Sequence, residues 1–313
     1  MTPNKSTALS ETKSFEQIHV MAREKATQKK PKAALVSPAH ADIFKAFFLA
    51  IDDGLIDPAI VGERTMIEKA AAEVDFSLDG ITIYDCSPDK SAVATACKMA
   101  ADGKADIIIR GTFPTDQFIK ELFEEETGFV ERGKLANHVA VIEAERYQQL
   151  LLLTDAAVLV DPDLKQKISM VNNLIAVGNR IGIDTPRVAV LAAVEVVYPQ
   201  MPATIDGAVL GKMSERNQIK GGFVDGPLSF DCAVDPVAAE SKGITNSEVA
   251  GRANAMLAPN IDTAHGVYKA MALYGNARVG GVIYGGRVPV ALAARSDSAE
   301  NILNSIALAV LVG

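Results

Sequence analysis

An arginine and several small polar residues follow a predicted buried strand near the end of the chain. Strand 288–293 leads into the sequence Ala294-Arg295-Ser296-Asp297-Ser298, which precedes a predicted apolar helix over 299–311. Asp297 and Glu300 have the spacing of a capping box at a helix start. A guanidinium beside free N–H groups of a helix N-terminus can bind an anion such as phosphate. Arg295 is therefore a candidate anion ligand; the alternative is that it only pairs with a nearby acid.

Two further turns have the same form. Residues 110–115 (Arg-Gly-Thr-Phe-Pro-Thr) join a predicted strand to a helix, and Asn260, Asp262 and Thr263 precede another helix. Open parallel sheets bind ligands at the carboxyl ends of their strands. The first turn thus makes Gly111, Thr112 and Thr115 candidate ligand residues, whereas helix capping alone explains the second turn equally well. Three such turns suggest phosphate chemistry without specifying a reaction.

Short apolar runs alternate with amphipathic segments along the chain, and these are the elements that must position the turns. Runs that are apolar on both faces are typical of strands covered on both sides, and their alternation with helices favours parallel βαβ units. We predict two three-layer α/β/α domains. The predicted strands are 33–36, 81–84, 107–109, 139–142, 150–153, 188–192, 256–258, 279–284 and 288–293. The predicted helices are 15–30, 42–51, 91–101, 116–126, 164–181, one from about residue 203, 264–274 and 299–311.

Composition excludes several classes of protein. The 313 residues are 49% apolar and carry a net charge of −8, which disfavours general nucleic-acid binding because phosphate neutralisation needs positive charge. No apolar run approaches the roughly 20 residues of a membrane-spanning helix. The polar first residues do not resemble a signal peptide, and Cys86, Cys97 and Cys232 are too few and too scattered for a disulfide framework. We therefore expect a cytoplasmic protein with reduced thiols.

Common cofactor motifs are missing from the sequence. No Gly-x-Gly-x-x-Gly follows a strand, and the three Gly-Lys pairs lack the Ser or Thr of a P-loop. The four histidines are scattered singly, so no metal site is predicted. Asp231 and Asp235 could share a helix face and a cation, but helix capping after a rigid turn at 225–227 is the favoured interpretation.

From residue 105 to residue 312 the sequence resembles the phosphate acetyltransferase/phosphate butyryltransferase family, and more closely its butyryl branch. The resemblance covers about two-thirds of the chain, in order, and several of its motifs extend over four or more residues. The matching segments are 138–141 (His-Val-Ala-Val), 153–157 (Leu-Thr-Asp-Ala-Ala), 190–197, 201–204 (Met-Pro-Ala-Thr), 218–221 (Gln-Ile-Lys-Gly), 225–228 (Asp-Gly-Pro-Leu), 249–251, 259–261 (Pro-Asn-Ile), 268–269 and 295–298 (Arg-Ser-Asp-Ser).

The resemblance implies a fold like that of isocitrate and isopropylmalate dehydrogenases, with a cleft between two α/β domains. The first domain would comprise residues 1–136 and 284–313, and the second residues 137–283. It implies reversible acyl transfer between coenzyme A, as a substrate, and inorganic phosphate, giving acyl phosphate without a metal or prosthetic group. It also implies a homodimer or larger homo-oligomer.

The resemblance also assigns roles to residues. Arg295 matches the family's active-site arginine, the turn 111–115 matches a loop facing the acyl phosphate, and Asn260 lies in a cleft loop. Ser296 and Ser298 follow the arginine at the helix start and are candidate substrate ligands, as is Asn301 at the position discussed next.

Three positions depart from the family pattern. Ala294 stands where a serine usually precedes the arginine, and Asn301 stands where acetyl members carry an aspartate proposed as a base for the thiol. Residues 262–265 (Asp-Thr-Ala-His) replace the usual loop. His265 is therefore a candidate substitute base, because histidine commonly exchanges protons near neutral pH; the alternative is a histidine that only forms hydrogen bonds.

Three functions remain open on the sequence alone. The leading hypothesis is a phosphate acyltransferase acting on butyryl-CoA or a similar short acyl-CoA, with phosphate acetyltransferase as its nearest alternative. The second hypothesis is an oxidoreductase on the same fold, which the specific motifs disfavour. The third is a non-catalytic protein that binds CoA or acyl phosphate, motivated by the departures at 294 and 262–265.

Overall fold

The computed structural model describes residues 11–86, 92–294 and 296–313, and across them one eleven-stranded mixed sheet forms the centre of the protein. The spatial order of its strands is β3-β2-β1-β4-β11-β10-β5-β6-β9-β7-β8. The strands are β1 (Lys32–Val36), β2 (Asp57–Gly62), β3 (Thr82–Asp85), β4 (Ile107–Arg110), β5 (Asn137–Glu143), β6 (Leu151–Thr154), β7 (Arg187–Leu191), β8 (Phe223–Leu228), β9 (Ala255–Leu257), β10 (Arg278–Tyr284) and β11 (Val290–Ala291).

Helices cover both faces of this sheet, as the apolar strands require. The helices are α1 (Phe15–Gln28), α2 (Ala41–Asp52), α3 (Arg64–Glu73), α4 (Ala92–Ala101), α5 (Thr115–Leu122), α6 (Leu164–Arg180), α7 (Pro202–Glu215), α8 (Phe230–Val234), α9 (Pro236–Ser241), α10 (Ile261–Leu273) and α11 (Ala299–Val312), with a short 3-10 turn at Glu125–Thr127. Side-chain caps start several of them; Asp163 and Gln166 form a capping box at α6. No helix of the described segments is long and apolar enough to cross a membrane.

The strands run in two opposite directions, so the predicted parallel pairing holds within each set of strands but not where β11, β10, β5 and β6 lie side by side. β11 continues the parallel set formed with β4, but β10 is antiparallel to both β11 and β5, and β5 is antiparallel to β6. Buried strands have the same apolar pattern in either direction, which hides this reversal. The short connections 144–150 and 285–289 were the available signal, because parallel strands need a longer crossover.

Some elements escaped the sequence analysis. β2 and α3 were not predicted, and the predicted rigid turn at 225–227 is instead part of β8. Gly226 packs there so closely that an added Cβ would lie 2.8 Å from Cβ of Val190. The glycine therefore permits close approach of two strands, and its neighbour Pro227 lies within the strand.

The hydrophobic core is continuous on one face of the sheet and divided on the other. On the first face, α11 packs against β10 and against α1 and α2. On the second face, one core gathers around α4 and α5 and a separate one around α8 and α10. A cleft lies between these two cores. Because the sheet passes without a break from β11 to β10, the division into domains 1–136 with 284–313 and 137–283 stays a prediction.

Candidate active site

A cleft of about 490 Å³ opens between the two cores on the divided face. Its walls come from the ends of β4, β6 and β11, the start of β5 and one side of α10. Three of the predicted site residues, Thr115, His265 and Ser296, line it. The other lining residues are Arg110, Asp116, His138, Ala156, Ala157, Ile261, Tyr268, Lys269, Leu292, Ala293 and Ala294. The cleft thus places apolar side chains beside cations and imidazoles.

Gly111 and Thr112 line a smaller cavity that adjoins the cleft and shares Arg110 and Ala294 with it. Their turn is held against the end of β1. The Gly111 amide donates to Val36 O at 2.9 Å, and Thr112 Oγ1 accepts from the Ala39 amide at 2.7 Å. The predicted turn therefore lies beside the cleft, with its glycine in close contact with a neighbouring strand.

Arg110 is the buried cation of this region, with only 4% of its surface exposed. Its Nε and Nη2 donate to Phe113 O at 3.0 and 2.8 Å, and its Nη1 donates to Ala293 O at 2.6 Å. The guanidinium thereby joins the turn after β4 to the end of β11. It orders two of the predicted anion-binding turns relative to each other.

Arg295 lies outside the described residues, but its neighbours border the cleft. The Ala294 amide donates to Asp297 Oδ2 at 2.7 Å, and the same oxygen accepts from the Tyr268 hydroxyl at 3.4 Å. Burial raises the pKa of Asp297, while its hydrogen bond from the Ala294 amide opposes that change. The contact with Tyr268 connects the turn before α11 to α10 on the opposite wall.

Ser298 and Asn301 have backbone partners in the structure. Ser298 is the N-cap of α11 and accepts from the Asn301 amide at 3.3 Å. The Asn301 side-chain oxygen accepts from the Val279 amide at 3.1 Å, which attaches α11 to β10. These contacts give both residues structural roles, and their predicted substrate contacts stay predictions.

Asn260 lies on the other side of α10 from His265. It caps this helix by accepting from the Thr263 amide at 3.0 Å. It lines a second cavity of about 520 Å³, next to the buried ion pair of Lys167 Nζ and Asp206 Oδ2 at 2.6 Å. Asn260 and His265 therefore line different cavities.

His265 faces the cleft with a defined hydrogen bond. Its Nδ1 lies 3.3 Å from Ala156 O. Because a carbonyl oxygen only accepts, Nδ1 donates in this contact, which leaves Nε2 as the nitrogen that could exchange a proton with a substrate. This arrangement suits the predicted role as a base.

His138 was not predicted as a site residue, although it begins the segment 138–141 that matches the family. The residue is the second of β5, is only 5% exposed and lines the cleft. Burial lowers its pKa to about 4, with the nearby His265 adding a smaller effect in the same direction. The available signal was an isolated imidazole at the start of an otherwise apolar strand.

This lowered pKa predicts how stability depends on pH. The folded protein binds the His138 proton only near pH 4, whereas the unfolded chain binds it near the ordinary value of 6.5. Between these values the unfolded state holds more protons, so stability falls as the pH is lowered. The imidazole should remove up to roughly 3 kcal/mol from the free energy of unfolding across this interval.

Urea unfolding of the parent and of His138→Gln at about pH 7 and about pH 4.5 measures this effect. The parent should lose more stability than the variant between these two pH values. The difference between the two proteins separates the effect of His138 from the effects of nearby His265 and Asp155. Equal losses in the two proteins would contradict a buried neutral imidazole.

A separate polar cluster surrounds the start of α8. Potential ligand atoms of Glu195, Asp231 and Cys232 lie within 4.8 Å of one another. Lys242 Nζ contacts Glu195 Oε1 at 2.9 Å and Asp231 Oδ2 at 3.4 Å. Asp235 accepts a hydrogen bond from the Val237 amide and so caps α9. The structure therefore gives Asp235 a capping role rather than a cation shared with Asp231.

Known proteins resemble this chain in sequence and in fold. A model of the family described as phosphate acetyl/butaryl transferase matches residues 86–310. Phosphate butyryltransferase from Clostridium acetobutylicum is 39% identical over 300 residues, covering 96% of this chain and 98% of that protein. Phosphate acetyltransferase from Thermotoga maritima is 35% identical over 285 residues, covering 91% and 96% of the two chains.

A solved structure extends the likeness to three dimensions. The crystal structure of a branched-chain phosphotransacylase from Enterococcus faecalis V583 superimposes with a TM-score of 0.75 at 26% identity, covering 90% of this chain and 98% of that one. The family match spans the residues that form most of the cleft. The chain belongs to the phosphate acetyl/butaryl transferase family of acyltransferases.

Proposed function

We propose that the protein is a phosphate acyltransferase that moves butyryl, or a similarly short acyl group, reversibly between coenzyme A and inorganic phosphate. The observation that carries the proposal is the cleft itself, which places an apolar wall beside basic groups. Ala156, Ala157, Ile261 and Leu292 suit an acyl chain, and Lys269 adds a cation beside them. The names of the related proteins support the same chemistry.

In this proposal both substrates occupy the cleft together and phosphate attacks the thioester directly. Orienting two reactants in one site removes much of the entropic barrier, and fixed donors stabilise the tetrahedral oxyanion. Arg295 and the turn 111–115 would hold phosphate, and His265 would serve the thiol. Cys232 is 0% exposed, so it does not suit an acyl-enzyme pathway. Coenzyme A is a substrate in this scheme, and no further cofactor is proposed.

The test is a thiol-release assay with phosphate and acetyl-, propionyl-, butyryl- or isobutyryl-CoA. Each buried methylene contributes about 0.8 kcal/mol, so butyryl-CoA should exceed acetyl-CoA by roughly tenfold in kcat/KM. A preference for acetyl-CoA would instead assign the chain to the acetyl branch.

A non-catalytic CoA-binding protein is the second candidate, because Ala294 stands where the resemblance to the family implies a serine. Calorimetry distinguishes the two: CoA binding without thiol release from any acyl-CoA would support the binding protein. Thiol release that depends on phosphate supports the acyltransferase.

We also propose that the protein acts in the cytoplasm as a homodimer or larger homo-oligomer. Cys86, Cys97 and Cys232 are buried free thiols, which suits a reducing compartment. Light scattering coupled to size-exclusion chromatography measures the oligomeric state; a monomer at assay concentration would contradict that part of the proposal.

A further inference from the structure

The backbone of His138 is held at the cleft by hydrogen bonds on one side, and its ring packs against β10 on the other. Its backbone amide donates to Asp155 Oδ2 at 3.0 Å, and its carbonyl accepts from Thr154 Oγ1 at 2.7 Å. On the other side the ring lies against β10, where a Cβ on Gly281 would be 2.5 Å from His138 Nε2. The ring therefore has little freedom to turn away from the cleft.

This fixed ring has hydrogen-bonding capacity that the described protein atoms do not use. Among those atoms, Nδ1 of His138 is buried and has no hydrogen-bond partner. A buried polar atom without a partner costs about 1–3 kcal/mol, so such atoms usually have a ligand, a water or a functional role. Because His138 lines the cleft, a ligand bound there could supply the missing partner.

The surroundings of the His138 ring suit the acyl chain and the carbonyl group of a thioester. Leu292 lies next to Gly281, to which its amide donates at 3.0 Å, and Ala156 carries the carbonyl bound by His265. An acyl chain against this apolar wall brings its carbonyl group to the level of the imidazoles. The oxygen of that group is the atom on which negative charge develops.

We propose that a ring N–H of His138 donates a hydrogen bond to the thioester carbonyl oxygen and stabilises the tetrahedral oxyanion. This assignment rests on the proposed acyl transfer. A phosphate oxygen forms a bond to the carbonyl carbon, and the π electrons move to the oxygen that His138 contacts. The C–S bond then breaks as the carbonyl reforms, and the proton lost by hydrogen phosphate ends on the CoA sulfur. His138 keeps its own proton throughout.

The low proton affinity of the His138 ring favours a role as a hydrogen-bond donor over a role as a general base. With a pKa near 4, His138 is neutral at physiological pH and a weak proton acceptor. A neutral imidazole can polarise a carbonyl without exchanging its proton, as in other enzymes where the histidine pKa is lowered. His265 is then left to serve the thiol, as in the proposed function.

The experiment compares three substitutions at this one position. His138→Leu removes the donor, His138→Asn places an amide nitrogen near Nδ1, and His138→Gln places one near Nε2. With the best acyl-CoA substrate, the leucine variant should lose on the order of 100-fold in kcat while KM changes less than about threefold. Asn or Gln should retain at least about tenfold more activity than Leu, and whichever does so identifies the nitrogen used.

Melting temperatures establish that each variant is folded, and His19→Gln serves as the matched control. His19 bonds Asn304 Oδ1 at 2.7 Å away from the cleft, so its loss should leave kcat unchanged. If the parent shows no phosphate-dependent thiol release, the proposed function itself fails. If the parent is active and a folded His138→Leu stays within threefold, or if neither amide exceeds Leu, only the assignment of His138 is overturned.

Discussion

Replacing Arg295 with alanine should lower kcat/KM for acyl-CoA and phosphate by on the order of 100-fold, equivalent to about 3 kcal/mol of transition-state stabilisation. The basis is the resemblance to the family, which implies an active-site role for this arginine; in addition, Ala294 and Ser296 on either side of it line the cleft. Removing it would take away a charge-assisted contact to phosphate and a donor to the developing charge.

Thiol release by folded Arg295→Ala and Arg295→Lys measures this contribution. Lysine should restore activity only in part, because it lacks the planar fork that binds two oxygens at once. Arg146→Ala is the matched control, since Arg146 is an exposed arginine in the connection between β5 and β6. Activity of Arg295→Ala within threefold of the parent would refute the role.

The second large effect is expected at Gly111. A Cβ at this position would lie 2.1 Å from Val36 O and 2.7 Å from Ser37 O, and both are backbone atoms that cannot rotate away. Gly111→Ala must therefore push the turn off the end of β1. We expect a loss of about 3 kcal/mol in the free energy of unfolding. Because a shift near 1 Å can cost about 100-fold in rate, kcat should also fall steeply.

Denaturant unfolding and thiol release of the same preparation test both parts of this prediction. Gly266→Ala is the matched control, because a Cβ at that position of α10 would meet no atom within 4 Å. Its helical site should gain up to about 1 kcal/mol. A Gly111→Ala protein as stable and active as the parent would show that the contact with Val36 is not tight.

The positions of most elements could be predicted from the chain alone. The apolar run at 139–142 lies within β5, and the predicted helix 164–181 corresponds to α6 within one residue. Both are set by local sequence: continuous apolar residues for the buried strand, and an Asp163 cap with an amphipathic pattern for the helix. The reversal of strand direction was not visible in the strands themselves, because a buried strand has the same pattern either way; only the short connections 144–150 and 285–289 indicated it.

The candidate site, too, could be predicted from the sequence only in part. Local sequence placed Thr115, His265 and Ser296 at helix starts and turns, and the fold brings them to one cleft. The resemblance to the family also made both Asn260 and His265 candidate catalytic residues. The helix that begins between them directs the two side chains to different cavities.

The sequence by itself determined most of the segments that form strands and helices, the places of the polar turns before α5, α10 and α11, and the family to which the chain belongs. Only the tertiary structure decided that β10 joins the two sets of strands, that Arg110 bridges two turns and that His138 lies buried in the cleft. The physical reason is that these properties depend on partners distant in the chain. The surroundings of His138 are set by Asp155 and Gly281, and no local pattern around residue 138 contains them.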